Sequence, residues 1–190
     1  MAITIHFISL GCAKNVVNCE QMMELCREAG YELREDPVGC DVAVINTCGF
    51  LSSASEEAIE NILRMAELKK AGQLKKILVT GCMTQRYQEE VPKELPEVDG
   101  ILGTGSYKDI VSAVEEVMAG GSPRCFDDIN APVDEFGRVI TTPPGMPTCG
   151  SLRAVTTGAP SASFPSFGAA TAAAPWTRCW RRQRHWRTVA

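Results

Sequence analysis

Three cysteines in this 190-residue chain close similar phrases, and their type and spacing suit them to chemistry. The phrases are Ile-Ser-Leu-Gly-Cys12, Val-Ile-Asn-Thr-Cys48 and Leu-Val-Thr-Gly-Cys82. Each is an apolar, β-branched run typical of a buried strand, ending in small or polar residues before the thiol. Parallel strands bring their carboxyl ends to one edge of a sheet, so the three thiols are predicted to share one crevice. Three convergent thiolates suit a soft metal centre, either iron–sulfur or zinc.

The bland interpretation of any single cysteine is an inert, small apolar residue in the core. For six of the nine cysteines the sequence gives no reason to prefer another interpretation: Cys19, Cys26, Cys40, Cys125, Cys149 and Cys179. Cys12, Cys48 and Cys82 differ because each follows a strand, at spacings of 36 and 34 residues that fit successive strand–helix units. A structural zinc site normally has a fourth side-chain ligand, and neither His6 nor His185 is suitably placed. Iron–sulfur is therefore favoured over zinc.

Strand and helix patterns alternate over the first 120 residues. Strands are predicted over 3–10, 31–34, 42–46, 76–80 and 100–103, and helices over 16–29, 53–71, 85–90 and 107–118. This alternation predicts the α/β class, with a doubly wound, mostly parallel sheet and helices on both faces. The predicted organisation is a cluster-binding domain over 1–121, a linker over 122–146 and a disordered tail over 147–190.

Composition favours a globular protein: 45% of the residues are hydrophobic, and no stretch approaches the roughly 18 to 20 apolar residues of a membrane span. The amino terminus lacks the basic start of a secretory signal, and nine cysteines then suggest a reducing compartment. We therefore expect a cytoplasmic protein without a membrane partner. The net charge of −4 hides a change in charge composition at Pro147. All 23 acidic residues precede Pro147, whereas six arginines and no acid follow it.

The three cysteine phrases resemble the N-terminal domain of the radical-SAM methylthiotransferases. The matching stretches are Ser9-Leu10-Gly11-Cys12-Ala13-Lys14-Asn15, Val44-Ile45-Asn46-Thr47-Cys48-Gly49-Phe50 and Val79-Thr80-Gly81-Cys82. The first is closer to the RimO branch, which methylthiolates the β-carbon of an aspartate in a small-subunit ribosomal protein, than to the tRNA-modifying MiaB branch. The resemblance covers about residues 3–146, and Asn18-Cys19 departs from the Asp-Ser usual there.

The resemblance implies that Cys12, Cys48 and Cys82 ligate an auxiliary 4Fe-4S cluster, whose open iron holds the sulfur to be donated. Full-length members carry a second 4Fe-4S cluster on a Cys-x₃-Cys-x₂-Cys motif that cleaves S-adenosyl-L-methionine, then a substrate-binding domain. The sequence as written has neither, so we expect no catalytic residues in it and no activity from it alone. Two alternatives stay open: a free-standing iron–sulfur or metal-binding module without catalysis, and a fragment of the MiaB type.

The tail after Met146 has a different character from the rest of the chain. In a displaced reading frame, the codons from Pro147 onward permit YLRIAEGCDNRCSFC, which contains the missing motif and resembles the family's continuation. We therefore interpret residues 147–190 as an out-of-frame tail produced by one missing base near Met146 and Pro147, or by an equivalent shift. The alternative is a natural disordered tail rich in Ala and Arg. Its interleaved Arg and Trp would otherwise suggest nucleic acid, which is not an expected partner.

Overall fold

The computed structural model describes residues 2–49 and 52–128 together with residues 137, 139 and 141. All of these belong to one compact unit, residues 1–153. The predicted tail over 147–190, with Cys149 and Cys179, lies outside the described residues. So does most of the predicted linker beyond residue 128. The predictions made for those segments stay predictions.

A single sheet of six strands forms the centre of the fold. The strands are β1 (Thr4–Ser9), β2 (Glu32–Arg34), β3 (Cys40–Thr47), β4 (Leu74–Gly81), β5 (Gly100–Leu102) and β6 (Arg124–Cys125). They lie in the order β2-β1-β3-β4-β5-β6, and every neighbouring pair is parallel. The predicted α/β class with a parallel sheet is confirmed.

Helices cover both faces of this sheet. They are α1 (Ala13–Glu28), α2 (Ser52–Lys70), α3 (Cys82–Arg86), α4 (Glu90–Glu94) and α5 (Ile110–Met118), the last preceded by a 3₁₀ turn at Tyr107–Asp109. Buried residues of α1 and α5 pack with Val42, Val44 and Leu78 on one face. The intervening strand residues point the other way, where α2 contacts β3 and β4. Within the described residues, no helix is long and apolar enough to cross a membrane.

The helices and strands differ from the sequence prediction at α1, α3, α4 and β6. Helix α1 begins at Ala13, earlier than expected, because the Asn15 and Val16 N–H groups both donate to the carbonyl of Cys12. Helix α3 spans Cys82–Arg86 and a second short helix, α4, spans Glu90–Glu94, where the sequence predicted one helix over 85–90. Strand β6 was not predicted, since two residues give no periodic signal. It forms within the predicted linker range, where Ile101 N–H donates to Pro123 O at 2.9 Å.

The strand order creates a switch point beside the cysteines. From β1 the chain passes to β2 on one side of it, and then to β3 on the other side. Helices on the two faces therefore diverge between β1 and β3, which leaves a crevice outside the carboxyl ends of those strands. In open α/β sheets this crevice is where ligands bind. Cys12 and Cys48 follow these two strands.

Candidate metal centre

The structure brings the three predicted ligands to the same edge of three adjacent strands. Cys12 follows β1 and is the N-cap residue of α1. Cys48 comes directly after β3, and Cys82 directly after β4. Register pairs Thr47 with Gly81, so Cys48 and Cys82 leave the sheet at the same level. Because neighbouring strands lie about 4.8 Å apart, the backbones carrying the three thiols are gathered at one edge.

The loop of Cys12 packs tightly on Cys48. A Cβ added to Gly11 would lie 2.5 Å from the Cβ of Cys48 and 3.1 Å from its sulfur. The side chain of Cys48 therefore rests against the backbone immediately before Cys12. Only a residue without a side chain leaves room for this contact, and the φ of +95° at Gly11 also favours glycine.

The ends of β3 and β4 are pressed together at Gly81. Its backbone has φ 107° and ψ −160°, a combination essentially restricted to glycine. A Cβ at this position would also meet the Thr47 carbonyl oxygen and lie 2.7 Å from Oδ1 of Asn46. Two independent constraints thus require glycine immediately before Cys82.

Both of the other thiols affect the pKa of Cys82. Burial is the largest cause of a raised pKa for Cys82, followed by the neighbouring thiols of Cys48 and then Cys12. Lys14 and a hydrogen bond from the backbone N–H of Gly49 act in the opposite direction. Two thiolates near a third disfavour its ionisation, so this coupling indicates that the three sulfurs share one neighbourhood.

The three thiols differ in their access to solvent. Cys12 is exposed, Cys82 is partly buried, and Cys48 is only 8% exposed. The set therefore runs from the surface into the interior of the crevice. A group bound to all three would have one side reachable from solvent and one side shielded by the sheet.

These thiols do not form a ready site for a single metal ion. Among the residues that the structure describes, no three His, Cys, Asp or Glu side chains are grouped so as to hold one ion. A tetrahedral zinc site places its sulfurs about 2.3 Å from one metal. In an iron–sulfur cluster each cysteine binds a different iron, so the thiols stand further apart. An all-thiol set of three fits the soft donor chemistry of such a cluster.

The cysteines that were interpreted as structural are not among the thiols that raise the pKa of Cys82. Cys19 and Cys26 are buried in the core beneath α1, and burial raises the pKa of each thiol to about 12. Cys40 is buried at the start of β3, where its thiol donates to the carbonyl of Asp36 at 3.1 Å. Cys125 lies in β6 and is partly buried.

A set of buried polar side chains behind the cysteines was missed by the sequence reasoning. Asn15, Asn46, Thr47 and Thr84 are all buried, and each donates to at least one backbone carbonyl at the carboxyl edge. The available signal was the place of Asn46 and Thr47 inside the second cysteine phrase. Asn46-Thr47 directly precedes Cys48, where an apolar strand would otherwise continue.

Sequence comparisons show a family model and several curated proteins to which this chain is similar. Residues 4–103 match the model of the family described as "Uncharacterized protein family UPF0004". A "Ribosomal protein uS12 methylthiotransferase RimO" of Lachnoclostridium phytofermentans is 48% identical over 126 residues, 66% of this chain and 29% of the relative. The protein of the same name from Clostridioides difficile is 45% identical over 139 residues, 73% of this chain and 31% of the relative.

A third relative of that name, from Anaeromyxobacter sp. (strain K), is 47% identical over 119 residues, 63% of this chain and 25% of the relative. The chain thus spans about a quarter to a third of the length of the curated relatives it matches. The family model alone covers more than half of the chain and includes Cys12, Cys48 and Cys82. The chain belongs to the UPF0004 family, the N-terminal domain of the methylthiotransferases.

Proposed function

We propose that this chain is the cluster-binding N-terminal part of a RimO-type methylthiotransferase. Such an enzyme would add a methylthio group to the β-carbon of an aspartate in a small-subunit ribosomal protein. The relatives named above are uS12 enzymes, which favours a ribosomal protein over a tRNA substrate. The observation that carries the proposal is the meeting of Cys12, Cys48 and Cys82 at one edge, with the pKa of Cys82 responding to both other thiols.

The proposed role of the three thiols is to hold a 4Fe-4S cluster. When bound, this cluster would supply the sulfur atom that methylthiolation transfers. The amino end of α1 lies at Cys12, and the helix macrodipole favours negative charge there. Lys14 is an exposed cation that lowers the pKa of Cys82 and so favours its thiolate. Both features support a negatively charged, thiolate-bound group at this edge.

The second half of the reaction is proposed to need residues that this sequence does not supply. Family enzymes cleave S-adenosyl-L-methionine on a second 4Fe-4S cluster held by Cys-x₃-Cys-x₂-Cys, and the 190 residues contain no such motif. We therefore expect the chain, reconstituted with iron, sulfide and a reductant, to release no 5′-deoxyadenosine from S-adenosyl-L-methionine. Release above a control without protein would contradict this part of the proposal.

The proposed setting is the cytoplasm, where a ribosomal substrate and a reducing environment coincide. All seven cysteines among the described residues are free thiols. Docking of the ribosomal protein is assigned to the full-length enzyme rather than to these residues. Analysis of reconstituted full-length enzyme with its ribosomal substrate, by mass spectrometry for the added methylthio group, tests that assignment.

Anaerobic reconstitution tests the cluster itself. We expect about four irons per chain, as one 4Fe-4S cluster requires, and loss of most of that iron when Cys12, Cys48 or Cys82 is replaced by Ala. The matched control is Cys40→Ala, which removes a buried thiol from the amino end of β3 and leaves the carboxyl edge intact. Stoichiometric zinc bound in preference to iron would favour a structural metal-binding module instead.

A further inference from the structure

Two side chains tie the three cysteine loops to one another through backbone carbonyls. Nδ2 of Asn15 donates both to Leu10 O at 2.8 Å and to Thr47 O at 3.1 Å. Oγ1 of Thr47 donates to Thr80 O at 2.6 Å. The bonded carbonyls lie two residues before Cys12, one before Cys48 and two before Cys82. We call Asn15 and Thr47 the carbonyl clamp.

The clamp has little freedom to rearrange. Asn15 is 1% exposed and Thr47 is fully buried, so water offers no alternative partner. Both neighbours of Asn15 Nδ2 are carbonyl acceptors, so the nitrogen of the amide and not its oxygen must face them. Asn46 completes the arrangement, since its Nδ2 donates to the carbonyl of Asn15 at 2.7 Å. A buried carbonyl left without its donor costs more free energy than the bond itself contributes.

We propose that Asn15 and Thr47 are positioning residues for the three-cysteine site. They fix the backbone just before each thiol, so that the three loops keep their separation while only the thiol side chains reorient on binding. This inference rests on the proposed cluster-binding function and assigns to it the residues that prepare the site. The clamp acts through the loops, and neither residue is placed in contact with the bound group.

The neighbouring strand pair β1 and β3 provides a control at the opposite edge of the sheet. Thr4 Oγ1 donates to Asp41 Oδ2 at 2.9 Å, which links the amino ends of β1 and β3. Thr4 and Asp41 are 37 residues apart, against 33 for Thr47 and Thr80. Thr→Val at either position removes a hydroxyl that bridges two strands. Only Thr47→Val removes it beside the cysteines.

Two measurements on each variant test the clamp. The first is the alkylation rate of Cys48 by iodoacetamide in the metal-free protein, followed by mass spectrometry of its peptide. The second is iron bound after anaerobic reconstitution. We expect Thr47→Val to raise the alkylation rate about fivefold or more and to lower bound iron. Thr47→Ser, which keeps the hydroxyl, and Thr4→Val should both stay near the wild type. Asn15→Ala should show the pattern of Thr47→Val.

The outcomes separate the clamp from the function on which it rests. Equal alkylation of Cys48 in Thr47→Val and Thr4→Val, with equal iron, overturns the clamp even if the wild type binds four irons. A wild type that binds no iron overturns the proposed function, and alkylation then still decides whether the loops are clamped. If Thr47→Val fails to fold, the comparison passes to Asn15→Ala, and wild-type behaviour in that variant overturns the proposal.

Discussion

Helix α1 separates two groups of cysteines that share a residue type and little else. At its amino end Cys12 lies exposed beside Cys48 and Cys82. Within the helix, Cys19 and Cys26 are 1% and 0% exposed and pack on the sheet. The edge group meets at a polar crevice, whereas the core group belongs to the hydrophobic core, with Ser9 as a polar neighbour of Cys19. The chemistry open to a thiol therefore depends on whether it lies at the end of a strand or in the core, and not on how many cysteines are nearby.

The difference has a simple physical origin. At the carboxyl edge, strands stop and leave carbonyl groups that side chains such as Asn15 and Thr47 must satisfy, so polar residues are retained there. In the core, β-sheet and helix bonds satisfy the backbone, and apolar neighbours such as Met22 and Val44 surround the thiols. Burial without a positive partner disfavours the thiolate. The thiolate is the form that binds metal.

Thiol reactivity should separate the two groups by the largest factor. A pKa of about 12 leaves Cys19 and Cys26 with roughly one thiolate in 10⁴ at pH 8, and burial also blocks the reagent. We expect Cys12 to be alkylated by iodoacetamide at least about 10³ times faster than either core cysteine. Peptide mass spectrometry over a time course in the metal-free protein measures this ratio. If either core cysteine is alkylated at a rate within tenfold of that of Cys12, the distinction between the two groups is contradicted.

Replacing Gly81 should be the most destabilising single change at the edge. Gly81→Ala introduces a Cβ against the Thr47 carbonyl in a backbone conformation that other residues avoid. We expect a loss of about 3 kcal/mol or more in the free energy of unfolding. Gly120→Ala is the control, since Gly120 has φ of +90° but nothing within 4 Å of an added Cβ. Its expected cost is about 1–2 kcal/mol, and urea unfolding of both variants gives the comparison.

Removing a core cysteine should lower stability and leave iron binding intact, whereas removing an edge cysteine should do the reverse. Cys26→Ala vacates a fully buried site and should cost about 1–3 kcal/mol of unfolding free energy, while bound iron stays at the wild-type level. Cys12→Ala should change stability by less than about 0.5 kcal/mol, because the side chain is exposed. It should nevertheless abolish most iron binding. Iron loss in Cys26→Ala at a temperature where it is folded would break the assignment.

The fold could be predicted from the sequence because its strongest signals are local. The apolar runs before Cys12, Cys48 and Cys82 are long and lie between helical patterns, which indicates parallel strands and fixes the shared edge. Strand β6 could not be found this way. Its two residues, Arg124 and Cys125, pair with β5 only because the chain returns there after α5. Such pairing depends on tertiary structure and leaves no periodic trace.

The site could be predicted only in part for a related reason. The positions of the three cysteines follow from strand ends, but the side chains that connect their loops act across 31 to 33 residues of sequence. Nothing local to Asn15 shows that its amide reaches the carbonyl before Cys48. Gly11 likewise reads as a turn residue, and its contact with Cys48 appears only when β1 and β3 are neighbours.

The smallest expected effect is a change in how stability responds to alkaline pH. Burial raises the pKa of Cys26 from about 9 to about 12, with a further contribution from Cys19. A raised pKa means that the folded chain holds this proton more tightly than the unfolded chain. Stability is therefore fully present below about pH 9 and is lost as pH rises toward 12. One such group contributes at most about 1.4 kcal/mol per pH unit in that window.

Cys26→Ala removes this group, so the free energy of unfolding should fall less steeply with pH in the variant. Between pH 9 and pH 10 we expect its loss to be smaller than that of the wild type by about 1 kcal/mol. Urea unfolding at closely spaced pH values provides the slopes. Parallel curves for wild type and Cys26→Ala would mean that the core thiol ionises as readily in the folded chain as in the unfolded one, and the contrast between edge and core would then rest on access alone.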